Sequence, residues 1–372
     1  MMARRVLFLI FVVAIALSAA DWDWHLRPGI PRPIVPEDNP MTVAKVELGR
    51  YLFYDKRMSV NGKGGCASCH IQALAFAEGH ARPTSVVGDI DPRGSMSLVN
   101  VAYAPSLTWA HSGLTSLEEQ ALKHMLSVDP VVEMGLLDHE QEFLDILRTD
   151  ATYQRLFPQV FPGADQITLK NVAKALAAFE RSIVSMRSPY DRYRWDGDAS
   201  AISDSAKRGE AIFSSSERGG CVQCHGGWNF SAVRSEGDPS GPQPRGEFFN
   251  TGVAQYEAPN RGAYEDTGRY DDFGKFRAPT LRNIALTDPY MHDGSFDSLE
   301  EVIDHYAAGG KFDQVNKTRV LRPFRITDSE KGDLIEFLES LTDDELIRDP
   351  RWSDPWSTNG GPASDRPAPV GK

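Results

Sequence analysis

The stretch Gly65-Cys66-Ala67-Ser68-Cys69-His70 returns further along the chain as Gly220-Cys221-Val222-Gln223-Cys224-His225. Cys-x-x-Cys-His is the sequence to which a c-type haem is attached. Two thiols at this spacing add across the two vinyl groups of one porphyrin, and the His that follows turns back to ligate the iron. Cys-x-x-Cys alone also serves zinc sites and thiol–disulfide enzymes. Here all four cysteines of the chain fall into the two motifs, and each motif ends in His, which paired zinc or redox sites do not require. The sequence therefore points to two covalently bound haem c groups, one held by Cys66, Cys69 and His70, the other by Cys221, Cys224 and His225.

A chain of 372 residues is long enough for two domains of ordinary size. The 41% hydrophobic and 25% charged fractions are those of a soluble globular protein. A formal net charge of −12 argues against nucleic acid and anionic membrane surfaces as partners. The N-terminus reads as a signal peptide over residues 1–20, with Arg4 and Arg5, an apolar run from Val6 to Leu17, and Ser18-Ala19-Ala20 before the cleavage point. The run is shorter than the roughly 20 residues a bilayer span needs. No membrane span is expected after cleavage, and the expected compartment is the periplasm, where haem is joined to an exported chain.

Residues 21–40, rich in Pro and Trp, read as an extended arm. A helix is expected from Met41 to Tyr54, with Val43, Val46, Leu48, Leu52 and Phe53 apolar. Gly49-Arg50-Tyr51-Leu52-Phe53 is similar to Gly209-Glu210-Ala211-Ile212-Phe213, and each precedes a haem motif by a short loop, which suggests an internal duplication. Further helices are expected from Ser116 to about Ser127, from His139 to Arg148, and from Thr168 to Met186 with a break at Ser188-Pro189-Tyr190. Two more are expected after the caps at Ser298 and Thr327, ending near Gly309 and Leu341. Residues 226–275 carry no clear periodicity and read as a long excursion. Strand signals are sparse. The expected fold is mainly α, with two cytochrome c-like haem domains at residues 41–196 and 197–345 and a disordered tail at 346–372.

Three further stretches carry a family resemblance. They are Trp109 with Leu117-Glu118-Glu119-Gln120 and Pro130-Val131-Val132-Glu133-Met134, then Phe276-Arg277-Ala278-Pro279-Thr280-Leu281-Arg282-Asn283 running on to Pro289-Tyr290-Met291-His292-Asp293-Gly294, and then the helix Leu299 to Gly310. With both haem motifs, in this order, the chain resembles the bacterial dihaem cytochrome c peroxidase and MauG family over about residues 40–342. Asn39-Pro40-Met41, Phe53-Tyr54-Asp55, the stretch from Cys69 to Phe76, Arg93-Gly94-Ser95-Met96-Ser97 and Ser188-Pro189-Tyr190-Asp191-Arg192-Tyr193 are similar to its MbnH-type branch, associated with methanobactin-type copper systems.

The resemblance implies an oxidoreductase in which the first haem meets hydrogen peroxide and the second stores charge. Peroxidases of the family place a Met fourteen residues beyond the His of the His-Asp-Gly motif, and MauG-type enzymes place a Tyr there. Counting from His292 reaches Tyr306. Thioether ligation raises the potential of a haem, whereas an anionic phenolate stabilises oxidised iron. His305 and Met291 are rival ligands, although neighbouring helical residues point about 100° apart, so only one of His305 and Tyr306 can face the iron. Gln120 and Glu133 are implied to line the peroxide pocket, the carboxylate moving a proton from the near to the far oxygen. Trp109 is implied to pass holes between the irons.

His124 stands where the family usually has Pro, where it could narrow the pocket, add a proton shuttle or ligate the first iron; His80 and His111 are rival ligands of that iron. A calcium ion between the haems would take the carbonyls of Thr287 and Pro289, although the usual Asn ligand falls at Gly94. The surface Trp that MauG-type proteins carry before the second motif is Gly219 here, which leaves Trp228 as a candidate exit for holes. The implied reaction is oxidation of a Trp to kynurenine in an MbnP-like partner protein, through a state with both irons at Fe(IV). A peroxidase fed by a small cytochrome or copper protein, and a dihaem electron carrier, are the alternatives.

Overall fold

The computed structural model describes residues 22–129, 131–231, 248–254, 260–314 and 316–357. The expected signal peptide lies outside them, as do Pro130 and residues 358–372. Among the described residues the chain forms helices α1 (Val43–Tyr54), α2 (Leu117–Leu126), α3 (Glu140–Thr149), α4 (Ala151–Val160) and α5 (Leu169–Arg181). They are followed by α6 (Pro189–Trp195), α7 (Asp204–Ser214), α8 (Tyr264–Thr267), α9 (Leu299–Ala307) and α10 (Asp328–Glu339). The strands β1 (Phe248–Phe249) and β2 (Phe276–Arg277) form one short antiparallel pair. The fold is mainly α, as the sequence implies. No helix among the described residues is long and apolar enough to cross a membrane.

Two helix crossings organise the molecule. α1 meets α5 at Gly49, where an added Cβ would lie 2.0 Å from the Ala175 carbonyl oxygen. α7 meets α10 at Gly209, where an added Cβ would lie 2.0 Å from the Asp333 carbonyl oxygen. Only glycine lets two backbones approach this closely. One turn on from each glycine a Phe packs across the crossing, Phe53 on Phe179 with ring centroids 4.9 Å apart and Phe213 on Phe337 at 5.2 Å. The short sequence repeat at Gly49 and Gly209 is thus a structural repeat.

Each crossing is the centre of its own apolar cluster. The first gathers Leu48, Leu52, Phe53, Phe76, Phe157, Leu176 and Phe179, the second Ile212, Phe213, Phe230, Leu334, Phe337 and Leu341.

The structure departs from the sequence reading in three places. α5 ends at Arg181 rather than Met186, and Ser188-Pro189 does not merely break it but starts α6. There Ser188 accepts from the Asp191 N–H while the Asp191 carboxylate accepts back from Ser188. α4 was not foreseen; Asp150 caps it, and Pro158 sits in its last turn. Residues 346–357, expected to be disordered, are ordered against the first half. Leu346, Ile347 and Trp352 are buried, Trp352 Nε1 donates to Ser182 Oγ at 3.0 Å, and Trp356 Nε1 donates to the Tyr51 carbonyl at 3.0 Å. Two Trp anchors outweigh a polar, Pro-containing composition.

The arm is non-helical, as expected. Trp22 and Trp24 pack on the first cluster, Arg27 pairs with Asp196, and Tyr103 donates its hydroxyl to the Pro31 carbonyl at 2.9 Å.

Candidate haem sites

Each Cys-x-x-Cys-His motif folds as one tight turn, Cys66–Ser68 and Cys221–Gln223, and brings its His back over the first Cys. The His70 N–H donates to the Cys66 carbonyl at 3.0 Å and the His225 N–H to the Cys221 carbonyl at 2.9 Å. The side chains repeat the match. His70 Nδ1 donates to the Phe76 carbonyl at 2.9 Å, and His225 Nδ1 to the carbonyls of Phe230 at 3.2 Å and Pro279 at 3.1 Å. A carbonyl only accepts, so Nδ1 carries the proton and Nε2 presents its lone pair, the form an iron ligand needs.

Burial lowers both imidazole pKa values, that of His70 to about 4, and so keeps both rings neutral. All four thiols are unbridged, and burial pushes Cys69 up to about 12 and Cys221 and Cys224 up to about 11. Two free thiols and one oriented neutral imidazole per turn fit a covalent haem.

Beside the first motif, α2 and the loop after it bring three predicted residues together. Ser116 caps α2 by accepting from the Glu119 N–H at 3.3 Å. One turn apart on that helix, the Gln120 amide nitrogen meets His124 Nε2, and His124 Nδ1 meets a Glu133 carboxylate oxygen. The Glu133 loop is fastened by the Leu136 N–H to the Met125 carbonyl at 3.0 Å and the Val60 N–H to the Met134 carbonyl at 3.0 Å. Burial opposes charge on both partners, but each outweighs that for the other. His124 is held above the usual imidazole range and Glu133 below the usual carboxylate range. Gln120 Oε1 is buried without a partner.

A residue missed by the sequence reading joins this group. Glu180, on α5, is 8% exposed, and its carboxyl makes no hydrogen bond among the described residues. Burial pushes it up to about 7, against the opposing pull of His124 and Arg181. It lies one turn from Leu176 on the apolar face of α5, and a lone acid on such a face was the available signal.

Of the rivals for the first iron, His111 Nε2 is taken by Asp266 at 3.3 Å, and His80 lines the cavity between the halves. That cavity is also lined by Glu78, Gly94, Trp109, Thr287 and Pro289. The predicted relay and the predicted calcium carbonyls therefore share one space. Trp109 is fixed there, its Nε1 donating to the Gly94 carbonyl at 2.8 Å and its ring edge-on to His292 at 6.5 Å.

α9, whose Leu299 and Ile303 belong to the apolar cluster that Cys221 packs against, carries Tyr306. Its neighbour His305 turns Nε2 to the Thr251 carbonyl at 3.0 Å, and Met291 lines the central cavity. Trp228 is wedged between Tyr103, at 4.7 Å between centroids, and the Arg282 guanidinium, at 5.6 Å from its ring. A cation over the ring disfavours removing an electron from it. Arg282 is itself fully buried on Asp191, at 2.8 Å and 2.9 Å, a pair the sequence reading missed.

Residues 43–200 match the model of the di-haem cytochrome c peroxidase family. A cytochrome-c peroxidase of Denitromonas iodatirespirans is 37% identical, over 93% of this chain and 94% of its own length. The chain belongs to the dihaem cytochrome c peroxidase and MauG family. As a member it is a haem oxidoreductase with two c-type haems. The methylamine utilization protein MauG of Methylophilus methylotrophus is 31% identical, over 92% of this chain and 96% of its own. A solved MauG-like protein associated with microbial copper homeostasis is 40% identical and superposes with a TM-score of 0.86, covering 90% of this chain and all of that one.

Proposed function

We propose that this protein is a MauG-type enzyme of the periplasm. It uses hydrogen peroxide to oxidise a Trp of a partner, an MbnP-like copper protein, to kynurenine. The observation that carries this reading is the full-length likeness to a MauG-like protein associated with copper homeostasis. Tyr306, at the position that separates MauG-type enzymes from peroxidases, supports it.

When bound, the haems supply the iron that cleaves peroxide and the storage for two oxidising equivalents. Cys66, Cys69 and His70 hold the first haem, with Gln120 and Glu133 serving its peroxide side. Cys221, Cys224 and His225 would hold the second, to which Tyr306 would supply an anionic oxygen that favours oxidised iron. Trp109, pinned by the Gly94 carbonyl, would pass holes between the two haems. A calcium ion in the central cavity would take the carbonyls of Thr287 and Pro289, where Glu78 also faces the cavity. With Trp228 under the Arg282 cation, holes leave by another route.

The test is to add stoichiometric peroxide to the oxidised holoprotein, follow its optical and Mössbauer spectra, and then add the copper-protein partner. A long-lived state two electrons above rest, discharged as a partner Trp becomes kynurenine by mass spectrometry, is expected. Steady peroxide consumption with reduced cytochrome c and no such state would assign the protein as a peroxidase instead. The cytochrome-c peroxidase name of a relative 37% identical keeps that reading alive.

A further inference from the structure

The repeat extends to the elements that face each haem motif. Ser116 caps α2 and Ser298 caps α9, each accepting from the N–H three residues on, and each cap is followed by Leu-Glu-Glu with a buried Leu, Leu117 or Leu299. Two residues before each cap, the carbonyls of Leu114 and Phe296 accept from the N–H groups of Leu107 and Tyr290. The turns leading in also match. Asn100 and Asn283 both take left-handed backbone, and their N–H groups donate to Ile183 at 2.9 Å and Leu341 at 3.1 Å. Counted from the caps, His124 in the first half therefore holds the position of Tyr306 in the second.

The charges around the first motif agree with that placement, because His124 and Glu133 are the side chains whose charges act on the His70 ring. His124 is not free to follow Tyr306 onto an iron, however. Glu133 accepts from Nδ1, and Gln120 covers Nε2 from one turn earlier on the same helix. The Gln120 amide suits either protonation state of the ring. Its NH₂ donates to a bare Nε2, and a half-turn would bring the partnerless Oε1 against an Nε2–H.

We propose that His124 is the distal acid–base group of the first haem site, held off the iron by Gln120 and Glu133. This rests on the reading of the first haem as the one that meets peroxide. His124 Nε2 takes the proton from the near oxygen of hydrogen peroxide and returns it to the far oxygen as the O–O bond breaks. The far oxygen leaves as water, with the two electrons drawn from the haem. Glu133, behind Nδ1, is then a positioning residue that favours the charged ring, and the charge of Glu180 acts in the same direction.

The test uses the holoprotein and two readouts, the electron paramagnetic resonance spectrum of the resting ferric first haem and the rate of its reaction with peroxide. In the unaltered protein the first haem is expected to be high-spin. His124→Leu should keep it high-spin and slow the peroxide reaction by about 100-fold or more, the usual size of general acid–base catalysis. Glu133→Gln should loosen the clamp and produce a low-spin bis-imidazole signal, which the double variant with His124→Leu should lack. A bis-imidazole first haem in the unaltered protein that disappears in His124→Leu would make His124 a ligand and overturn the proposal. So would an unchanged peroxide rate in His124→Leu, or a Glu133→Gln variant that stays wholly high-spin. None of these readouts involves the partner Trp, so absence of kynurenine would sink the proposed function and leave the role of His124 standing.

Discussion

The two halves of this molecule solve the same packing problem and do not do the same chemistry. They share the glycine crossing, the Phe pair over it, the His whose Nδ1 is held by a Phe carbonyl, the left-handed Asn and the Ser-capped helix. They part at three matched positions. His124 faces Tyr306, Glu180 faces Leu338, and Val99, from Leu98-Val99-Asn100, faces Arg282, from Leu281-Arg282-Asn283. At the last two, one half buries an ionisable group where the other buries a hydrocarbon. A duplicated scaffold tolerates either, so a charge at such a position serves something other than the packing of a haem domain.

The largest effect should come from the second half. Arg282 and Asp191 are both fully buried, and Arg282 also donates to the Trp228 carbonyl at 2.7 Å and 3.1 Å. Removing one partner strands a charge in the interior. Arg282→Met should destabilise the holoprotein by about 3–5 kcal/mol. Adding Asp191→Asn, which removes the stranded charge and keeps an oxygen for the Ser188 N–H at 3.0 Å, should recover much of the loss, since the first half packs Val99 where Arg282 stands. Urea unfolding monitored by haem absorbance gives both numbers, and a double variant no better than the single one would break the equivalence of Val99 and Arg282.

A smaller, pH-dependent effect is expected in the first half. The Glu180 carboxyl is raised from its ordinary 4.5 to about 7 by burial. The folded protein therefore holds this proton more tightly than the unfolded chain. Its favourable contribution is complete below pH 4.5, fades as pH rises through 7, and leaves a penalty of on the order of 3 kcal/mol above that. Glu180→Leu, which installs the residue of the second half, should be more stable than the unaltered protein by about that amount at pH 8, with the gap closing by pH 4. Unfolding midpoints measured across this range check it. A gap that does not change with pH would mean that burial leaves the Glu180 carboxyl at its ordinary value.

How far this could be read from sequence follows the range of the signal. The twin haem motifs are local and chemically restrictive, so Cys66 to His70 and Cys221 to His225 were legible at once. The capped, periodic helices α1, α2, α9 and α10 were legible too. The repeat was seen only at Gly49 and Gly209, because loops of unequal length separate it from its continuation. Asn100 and Asn283, or Ser116 and Ser298, come into register only in three dimensions. The Asp191–Arg282 pair spans 91 positions and left no pattern to read. Gln120 and Glu133 were named by resemblance, but their joint grip on His124 depends on a loop whose path the sequence does not encode locally.

The smallest effect tests that register most directly. Ser116→Ala and Ser298→Ala each delete one capping hydrogen bond, at 3.3 Å to the Glu119 N–H and 3.2 Å to the Glu301 N–H, and each should cost about 1 kcal/mol. The two should not be quite equal. Ser116 Oγ also donates to Glu118 at 3.0 Å, and Glu118 pairs with the nearly buried Arg181 at 2.9 Å, whereas Ser298 has no such second bond among the described residues. Ser116→Ala should therefore be the costlier of the pair by a few tenths of a kcal/mol. Fraying the first turn of α9 leaves Tyr306, in its last turn, in place, so Ser298→Ala should leave the second-haem spectrum unchanged, whereas Tyr306→Phe should alter it. A Ser298→Ala spectrum that moves like that of Tyr306→Phe would show that α9 shifts as a rigid rod. The cap would then set the position of the residue at its far end, in α2 as much as in α9.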